Sequence, residues 1–217
     1  MITGAIFDMD GVLLDSMPLW EEAGIWYLEA NGKVPEPGLK EILFTKTMTD
    51  AAEYIRVTYS LEKTVDEILK EMIEMIRCRY ETDIPAKEGA LSFMRQLREK
   101  KIPVTIATSS DRVLAQAGLT RLGFLPYIDA IFTCNELGVG KDRPDIFIEA
   151  QKSMGTKRET TWIFEDSLHA IRSAKKAGFP VVGLYDVCSR QNQDSIRKET
   201  DIYMDNLKDF DAFYSRA

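Results

Sequence analysis

The stretch AIFDMDGVLLD, residues 5–15, places two carboxylates directly behind a short apolar run. Asp8 and Asp10 lie two positions apart, and Gly11 follows them. Like charges this close repel each other, so a fold normally avoids placing both at the end of a core strand. The pair therefore indicates a function that uses the two carboxylates together.

Five short apolar runs alternate with helical patterns along most of the chain. Runs without polar alternation are typical of strands buried on both faces of a parallel sheet. Between them, one predicted helix has Pro144 at its first position and stops at Gly155, and another begins at Ser167 and stops at Gly178. The pattern predicts a doubly wound, mainly parallel Rossmann-like α/β sheet. Its strands are expected in 2–7, 102–108, 127–133, 160–165 and 179–185.

Residues 16–82 interrupt this alternation, because no strand-like run occurs there. A helix is predicted over 18–32, which ends in a glycine, and another over 64–80, which opens with a Thr-x-x-Glu capping box. We interpret the segment as an inserted all-helical domain. The predicted domains are a core of 1–15 and 83–217 and a helical domain of 16–82.

Charge and composition exclude several classes of function. The 217 residues carry 28 basic and 35 acidic side chains, which gives a net charge of −7. A net negative charge does not favour binding to nucleic acid or to an anionic membrane. No apolar run approaches the roughly 18 residues of a membrane span. The three cysteines are too few for a disulfide framework or a metal knuckle. We expect a cytoplasmic protein without a nucleic-acid or membrane partner, and nothing in the sequence demands more than a monomer.

Polar side chains follow four of the predicted strands at the points where the strands end. Ligands of open α/β sheets bind beyond the carboxyl ends of the strands. Each group alone has an ordinary explanation, such as a turn, a helix cap or a solvated lysine. Four coincidences at successive strand ends are less expected than one shared site. The predicted site comprises Asp8, Asp10, Thr108, Ser109, Lys141, Glu165 and Asp166.

The chemistry of this set points to phosphoryl transfer. Clustered carboxylates without nearby His or Cys suit a hard cation, and Mg²⁺ prefers one or two carboxylates with substrate phosphate and water. Hydroxyls, backbone N–H groups and a lysine can cradle a phosphoryl group. Asp8 can attack phosphorus, and Asp10 can protonate the leaving oxygen and later activate water. The expected partner is a small phosphorylated metabolite.

Four motifs resemble the signature motifs of haloacid dehalogenase-like phosphohydrolases, and the resemblance covers essentially the whole chain. The helical insertion resembles the cap that follows the first motif in the phosphoglycolate phosphatase and β-phosphoglucomutase branch. The motifs are DMDGV (8–12), TS (108–109), Lys141 with PDIF (144–147), and EDS (165–167).

The resemblance implies a role for each residue of the predicted site. Asp8 would be the nucleophile and Asp10 the general acid/base. Mg²⁺ would be held by the Asp8 carboxylate, the Asp10 backbone carbonyl, Asp166 and Glu165. Phosphoryl binding would fall to Thr108, Ser109 and Lys141.

Asp10 also helps to choose within the family, because dehalogenases lack the second aspartate and phosphonatases replace it by a small residue. Mutases of the branch typically carry a cap histidine after the Asp-Ser/Thr pair and an arginine in a cap loop. In this chain the pair is Asp15–Ser16, and MPLW, which ends in Trp20, follows it. The loop LFTKTMTD contains Lys46 instead of an arginine. The sole histidine, His169, lies at the start of a helix of the predicted core domain. We favour a sugar or polyol phosphate phosphatase, with Trp20 and Lys46 as cap specificity candidates. A phosphosugar mutase and a non-catalytic regulator remain alternatives.

Overall fold

A computed structural model describes residues 1–44 and 46–217, so that Thr45 of the predicted cap loop lies outside the described residues. The chain forms two compact units. The core unit comprises Met1–Ser16 and Ile84–Ala217, and the helical unit comprises Met17–Asp83. The boundaries expected from the sequence fall one residue earlier at each junction.

The core unit is built on a six-stranded sheet in which every neighbouring pair is parallel. The strand order is β3-β2-β1-β4-β5-β6, which confirms the predicted doubly wound sheet. A sixth strand joins the five that were predicted. The strands are β1 (Gly4–Phe7), β2 (Val104–Thr108), β3 (Ala130–Thr133), β4 (Thr161–Glu165), β5 (Val181–Leu184) and β6 (Ile202–Met204).

The helical unit contains four helices in its described part. Among them, α4 has the predicted capping box: the Thr64 hydroxyl accepts from the Glu67 N–H at 3.2 Å, and Glu67 Oε2 accepts from the Thr64 N–H at 2.8 Å. One face of α4, including Ile68, Met72 and Ile76, is buried. The helices are α1 (Met17–Ala30), α2 (Leu39–Phe44), α3 (Met48–Thr58) and α4 (Val65–Thr82).

Seven further helices belong to the core unit. The helix predicted to start at Pro144 begins one residue later, because Pro144 has φ −81° and ψ 2° and is the N-cap instead of the first helical residue. The helices are α5 (Ala90–Glu99), α6 (Arg112–Arg121), α7 (Cys134–Leu137), α8 (Asp145–Met154), α9 (Leu168–Lys176), α10 (Gln193–Glu199) and α11 (Phe210–Tyr214). No helix in the described ranges is both long enough and apolar enough to cross a bilayer.

Both faces of β1 are buried, as a strand at the centre of a parallel sheet requires. Side chains alternate between the faces. Phe7 stacks on Phe164 with ring centroids 4.0 Å apart and meets Phe93 edge-on at 6.2 Å. Ile6 belongs instead to the apolar cluster that contains Phe147 of α8. The burial on both sides fixes β1 and therefore the residues that follow it.

The strand order places a topological switch point between β1 and β4. The chain builds β2 and β3 on one side of β1 and then crosses to form β4 on the other side. Ligands bind at such points in open α/β sheets. Asp8 follows β1 directly, and Asp166 follows β4 directly.

Candidate active site

A tight turn after β1 sets the direction of the first motif. The Asp8 N–H still donates to the Phe164 carbonyl at 2.9 Å, which continues the pairing with β4. The turn then closes through hydrogen bonds from the Gly11 N–H to the Leu14 carbonyl at 2.8 Å and from the Leu14 N–H to the Met9 carbonyl at 2.9 Å. Gly11 has φ 85°, a conformation that favours glycine. The turn therefore keeps the first motif at the carboxyl edge of the sheet.

Three buried carboxylates meet at the switch point. Asp8, Glu165 and Asp166 each offer an oxygen within 4.8 Å of the others. Lys141, itself only 4 % exposed, donates from Nζ to Asp8 Oδ1 and, at 2.8 Å, to Glu165 Oε2. The three carboxylates are paired with a single ammonium group, so this buried site has less positive than negative charge. We call Asp8, Glu165 and Asp166 the acid cluster.

Burial perturbs the titration of this cluster. Desolvation raises the pKa of Asp8 to about 8; the Lys141 charge opposes the rise, whereas Glu165 and Asp10 add to it. Desolvation, with the charges of Glu165, Asp8 and Asp186, raises the pKa of Asp166 well above its usual value. Burial alone would lower the pKa of Lys141, but its anionic partners Asp8 and Glu165 raise it. A divalent cation would supply the missing charge, and an all-oxygen donor set suits Mg²⁺.

Asp10 is held separately from the acid cluster by two hydroxyl groups. Ser16 Oγ donates to Asp10 Oδ1 at 2.5 Å, and Ser110 Oγ donates to Oδ2 at 2.6 Å. Neither serine was among the predicted site residues. Ser110 directly follows the predicted Thr108–Ser109 pair, and Ser16 belongs to the Asp-Ser/Thr pair that follows the first motif, so both serines could have been included on those grounds.

The residues predicted to bind the phosphoryl group differ in exposure. Thr108 is fully buried at the end of β2, and its Oγ1 accepts from the Ser110 N–H at 3.0 Å. Ser109 is exposed, and its Oγ lies 3.7 Å from Cys134 Sγ. Lys141 is close to Asp8, as described above. The phosphoryl-binding role of these residues stays a prediction.

The two cap candidates have partners within the helical unit. Trp20 Nε1 donates to Tyr80 Oη at 2.9 Å, so the indole N–H is already engaged. Lys46 is exposed, and its Nζ lies 5.2 Å from the centroid of the Tyr54 ring. In the core unit, His169 is exposed, and its Nδ1 lies 2.8 Å from Ser167 Oγ. Lys46 is therefore the candidate whose charge is presented to solvent.

The sheet and its acid cluster define an α/β protein with a candidate active site at the switch point, and comparisons with known proteins identify the family. Residues 5–184 match the haloacid dehalogenase-like hydrolases. The chain belongs to this family.

Several curated relatives are phosphatases, and two of them are each 30 % identical to this chain. The validoxylamine A 7'-phosphate phosphatase of Streptomyces hygroscopicus subsp. limoneus aligns over 83 % of this chain and 84 % of its own length. The phosphorylated carbohydrates phosphatase of Thermotoga maritima aligns over 80 % of both. The prediction of a phosphoric monoester hydrolase of this family is thereby confirmed.

Solved structures share the fold over nearly the whole chain. A putative β-phosphoglucomutase from Thermotoga maritima superimposes with a TM-score of 0.84 at 21 % identity and covers 99 % of both chains. CbbY from Rhodobacter sphaeroides, solved in complex with phosphate, gives a TM-score of 0.79 at 21 % identity over 96 % of both chains. At this identity the likeness establishes the fold.

Proposed function

We propose that the chain is a Mg²⁺-dependent phosphatase of small sugar or polyol phosphates. The observation that carries the proposal is the acid cluster, in which buried Asp8 lies beside Lys141 and two further buried carboxylates. The curated relatives support the substrate class, because they include a phosphorylated carbohydrates phosphatase and a hexitol phosphatase.

In the first half of the proposed reaction, an Asp8 carboxylate oxygen attacks phosphorus and the bond from phosphorus to the substrate oxygen breaks. Asp10 gives a proton to the departing oxygen, so the alcohol leaves neutral. Lys141 Nζ donates a hydrogen bond to the attacking carboxylate of Asp8. Its ammonium would also neutralise charge on the transferring phosphoryl group. Thr108 and Ser109 would add hydroxyl and backbone donors to the same group.

In the second half, water attacks the phosphorus of the aspartyl phosphate while Asp10 takes its proton. The bond from phosphorus to Asp8 breaks, which restores the carboxylate and releases inorganic phosphate. Mg²⁺, held by Asp8, Glu165, Asp166 and the Asp10 carbonyl, would supply positive charge for the phosphoryl oxygens. Ser16 and Ser110 donate to the two carboxylate oxygens of Asp10 and thereby orient its side chain for proton transfer.

The decisive experiment measures phosphate release from p-nitrophenyl phosphate with Mg²⁺ and in excess EDTA. The wild type should be active only with Mg²⁺, and Asp8→Asn should be inactive while it retains its circular dichroism spectrum. An amide can neither attack phosphorus nor carry the phosphoryl group. Activity of Asp8→Asn close to that of the wild type would refute the covalent mechanism, and full activity in EDTA would refute the metal assignment.

We expect substrate specificity to depend on the helical unit, with Lys46 binding a polar group of the substrate. Lys46→Ala should raise KM for the preferred sugar or polyol phosphate and leave hydrolysis of p-nitrophenyl phosphate nearly unchanged. Lys70→Ala, at an exposed position of α4, is the matched control. Equal losses on both substrates would argue against a specificity role for Lys46.

The mutase alternative is separated by product analysis. A coupled assay should detect phosphate release from the preferred substrate and no interconversion of glucose 1-phosphate and glucose 6-phosphate. Isomerisation faster than phosphate release would favour the mutase. The monomeric state and the cytoplasmic location stay predictions from the sequence.

A further inference from the structure

The two linkers that join the core and helical units pair with each other as a short antiparallel ribbon. The Asp15 N–H donates to the Pro85 carbonyl at 2.9 Å, and the Lys87 N–H donates to the Leu13 carbonyl at 2.8 Å. We call residues 13–15 and 85–87 the linker ribbon. Because its first strand continues the turn after β1, the ribbon fixes the backbone of Lys87 near the carboxyl edge of the sheet.

Lys87 uses this position to pair with a buried carboxylate outside the predicted site. Its side chain is 18 % exposed, and Nζ donates to Asp186 Oδ2 at 2.8 Å. Asp186 is completely buried, and its Oδ1 accepts from the Cys188 N–H at 2.9 Å. Asp15 Oδ1 lies farther from Lys87 Nζ, at 3.6 Å. The phosphatase mechanism proposed above assigns no role to the Lys87–Asp186 pair.

Asp186 lies at the same edge of the sheet as the acid cluster. Strands β4 and β5 are neighbours, with Glu165 opposite Gly183. Asp166 follows β4 directly, and Asp186 follows the end of β5 by two residues. The two carboxylates therefore follow the ends of adjacent strands.

The buried carboxylates at this edge of the sheet outnumber the ammonium groups that pair with them. The buried carboxylates are Asp8, Glu165, Asp166 and Asp186, and the ammonium groups of Lys141 and of the half-buried Lys87 pair with them. Removing Lys87 would increase the excess of negative charge by one, and removing Asp186 would reduce it by one. A buried charge left without its partner is strongly unfavourable, so each charge matters for what the site binds.

We infer that Lys87 is a positioning residue for the cation site: its ammonium neutralises Asp186 and fixes that carboxylate at the carboxyl edge of the sheet. The inference rests on the proposed Mg²⁺ site. In this inference, Lys87 and Asp186 influence how tightly the site binds a cation and take no part in the steps of phosphoryl transfer.

Opposite substitutions should move metal affinity in opposite directions. Asp186→Asn leaves the Lys87 ammonium without its buried counter-charge, and we expect Mn²⁺ and Mg²⁺ to bind about three- to tenfold more weakly. Lys87→Met leaves Asp186 uncompensated, and binding should strengthen by a similar factor. The double variant Lys87→Met/Asp186→Asn should return to within about twofold of the wild type. A purely structural ion pair gives no reason for opposite signs.

Binding is measured on the folded full chain without substrate, with free Mn²⁺ counted by electron paramagnetic resonance and Mg²⁺ titrated in competition. Lys87→Arg keeps the charge and should bind Mn²⁺ as the wild type does. Asp201→Asn is the matched control, because it removes one negative charge paired with Lys175 at 2.6 Å at the amino end of β5. Its affinity should be unchanged.

The outcomes separate this inference from the proposed function. If the wild type binds no Mn²⁺, the metal assignment itself fails. If the wild type binds Mn²⁺ and Asp186→Asn binds it equally well, the role of Lys87 and Asp186 is overturned. Asp186→Asn retains the size of the side chain and an oxygen acceptor, so it decides the question even if Lys87→Met does not fold.

Discussion

The buried Asp8 should make the metal-free protein less stable as the pH rises. Unfolded, Asp8 has its ordinary pKa of 3.8; folded and metal-free, desolvation raises that pKa to about 8. Between these values the folded state keeps a proton that the unfolded state releases. The stabilisation that Asp8 gains from this proton is therefore greatest at low pH and is lost as the pH rises to the folded pKa. Asp166, whose pKa is also raised, acts in the same direction.

The size of the effect follows from the linkage relation. Between pH 5 and pH 8, Asp8 alone should reduce the free energy of unfolding by about 4 kcal/mol, since its folded pKa is about 8. Lys141 does not oppose this trend, because its raised pKa makes it charged in both states throughout the interval. A loss of this size is a large fraction of the stability of an ordinary domain.

Urea unfolding followed by circular dichroism, in excess EDTA at pH 5, 6, 7 and 8, measures this loss. Mg²⁺ should abolish most of the pH dependence, because a bound cation favours the ionised carboxylates. Asp8→Asn, which removes the titrating group, should show a shallower decline in EDTA. If the wild type in excess EDTA were as stable at pH 8 as at pH 5, the conclusion that burial raises the pKa of Asp8 in the metal-free protein would be wrong.

Four further substitutions, one of them a control, test other parts of the structure. Asp10→Asn should retain Mn²⁺ binding and lose about 10²- to 10⁴-fold in kcat, as expected for a general acid/base; an unchanged kcat would remove Asp10 from that role. Asp166→Ala should raise the Mg²⁺ concentration needed for half-maximal rate, and an unchanged Mg²⁺ titration would contradict its assignment as a ligand. Gly89→Ala should lower stability to urea by about 2 kcal/mol or more, since Gly89 has φ +84° and a Cβ would lie 2.4 Å from the Leu207 carbonyl carbon. Gly32→Ala, at φ +69° with no atom within 4 Å, should cost only about 1 kcal/mol, and equal losses at both glycines would rule out the clash.

The central strands were predictable because their side chains are buried on both faces and so form continuous apolar runs. Strand β6 was missed for the complementary reason: it has three residues at the edge of the sheet, and Tyr203 and Met204 are only half-buried. A short, partly exposed strand has no apolar run to distinguish it from a loop.

The candidate site was partly predictable for a similar reason. Asp8, Glu165 and Asp166 occur where strands end, and the parallel topology brings those ends together. The pair formed by Lys87 and Asp186 could not be foreseen, because its members are 99 residues apart. Such a contact depends on how the linker returns to the sheet, which no local pattern records.

The linker ribbon also has a consequence for folding. In the core unit, β1 pairs with β2 through Ala5 and Val104, so this first pairing must close a loop that contains the whole helical unit. Loop-closure entropy grows with the length of flexible chain between the paired residues. Once the helical unit is folded, its residues no longer count as flexible chain, and the ribbon brings its two ends to hydrogen-bonding distance. Early folding of the insertion would thus shorten the effective loop and accelerate formation of the central sheet. Because the ribbon holds both ends of the insertion together, one helical insertion could be exchanged for another at this position without altering the register of β1 and β2.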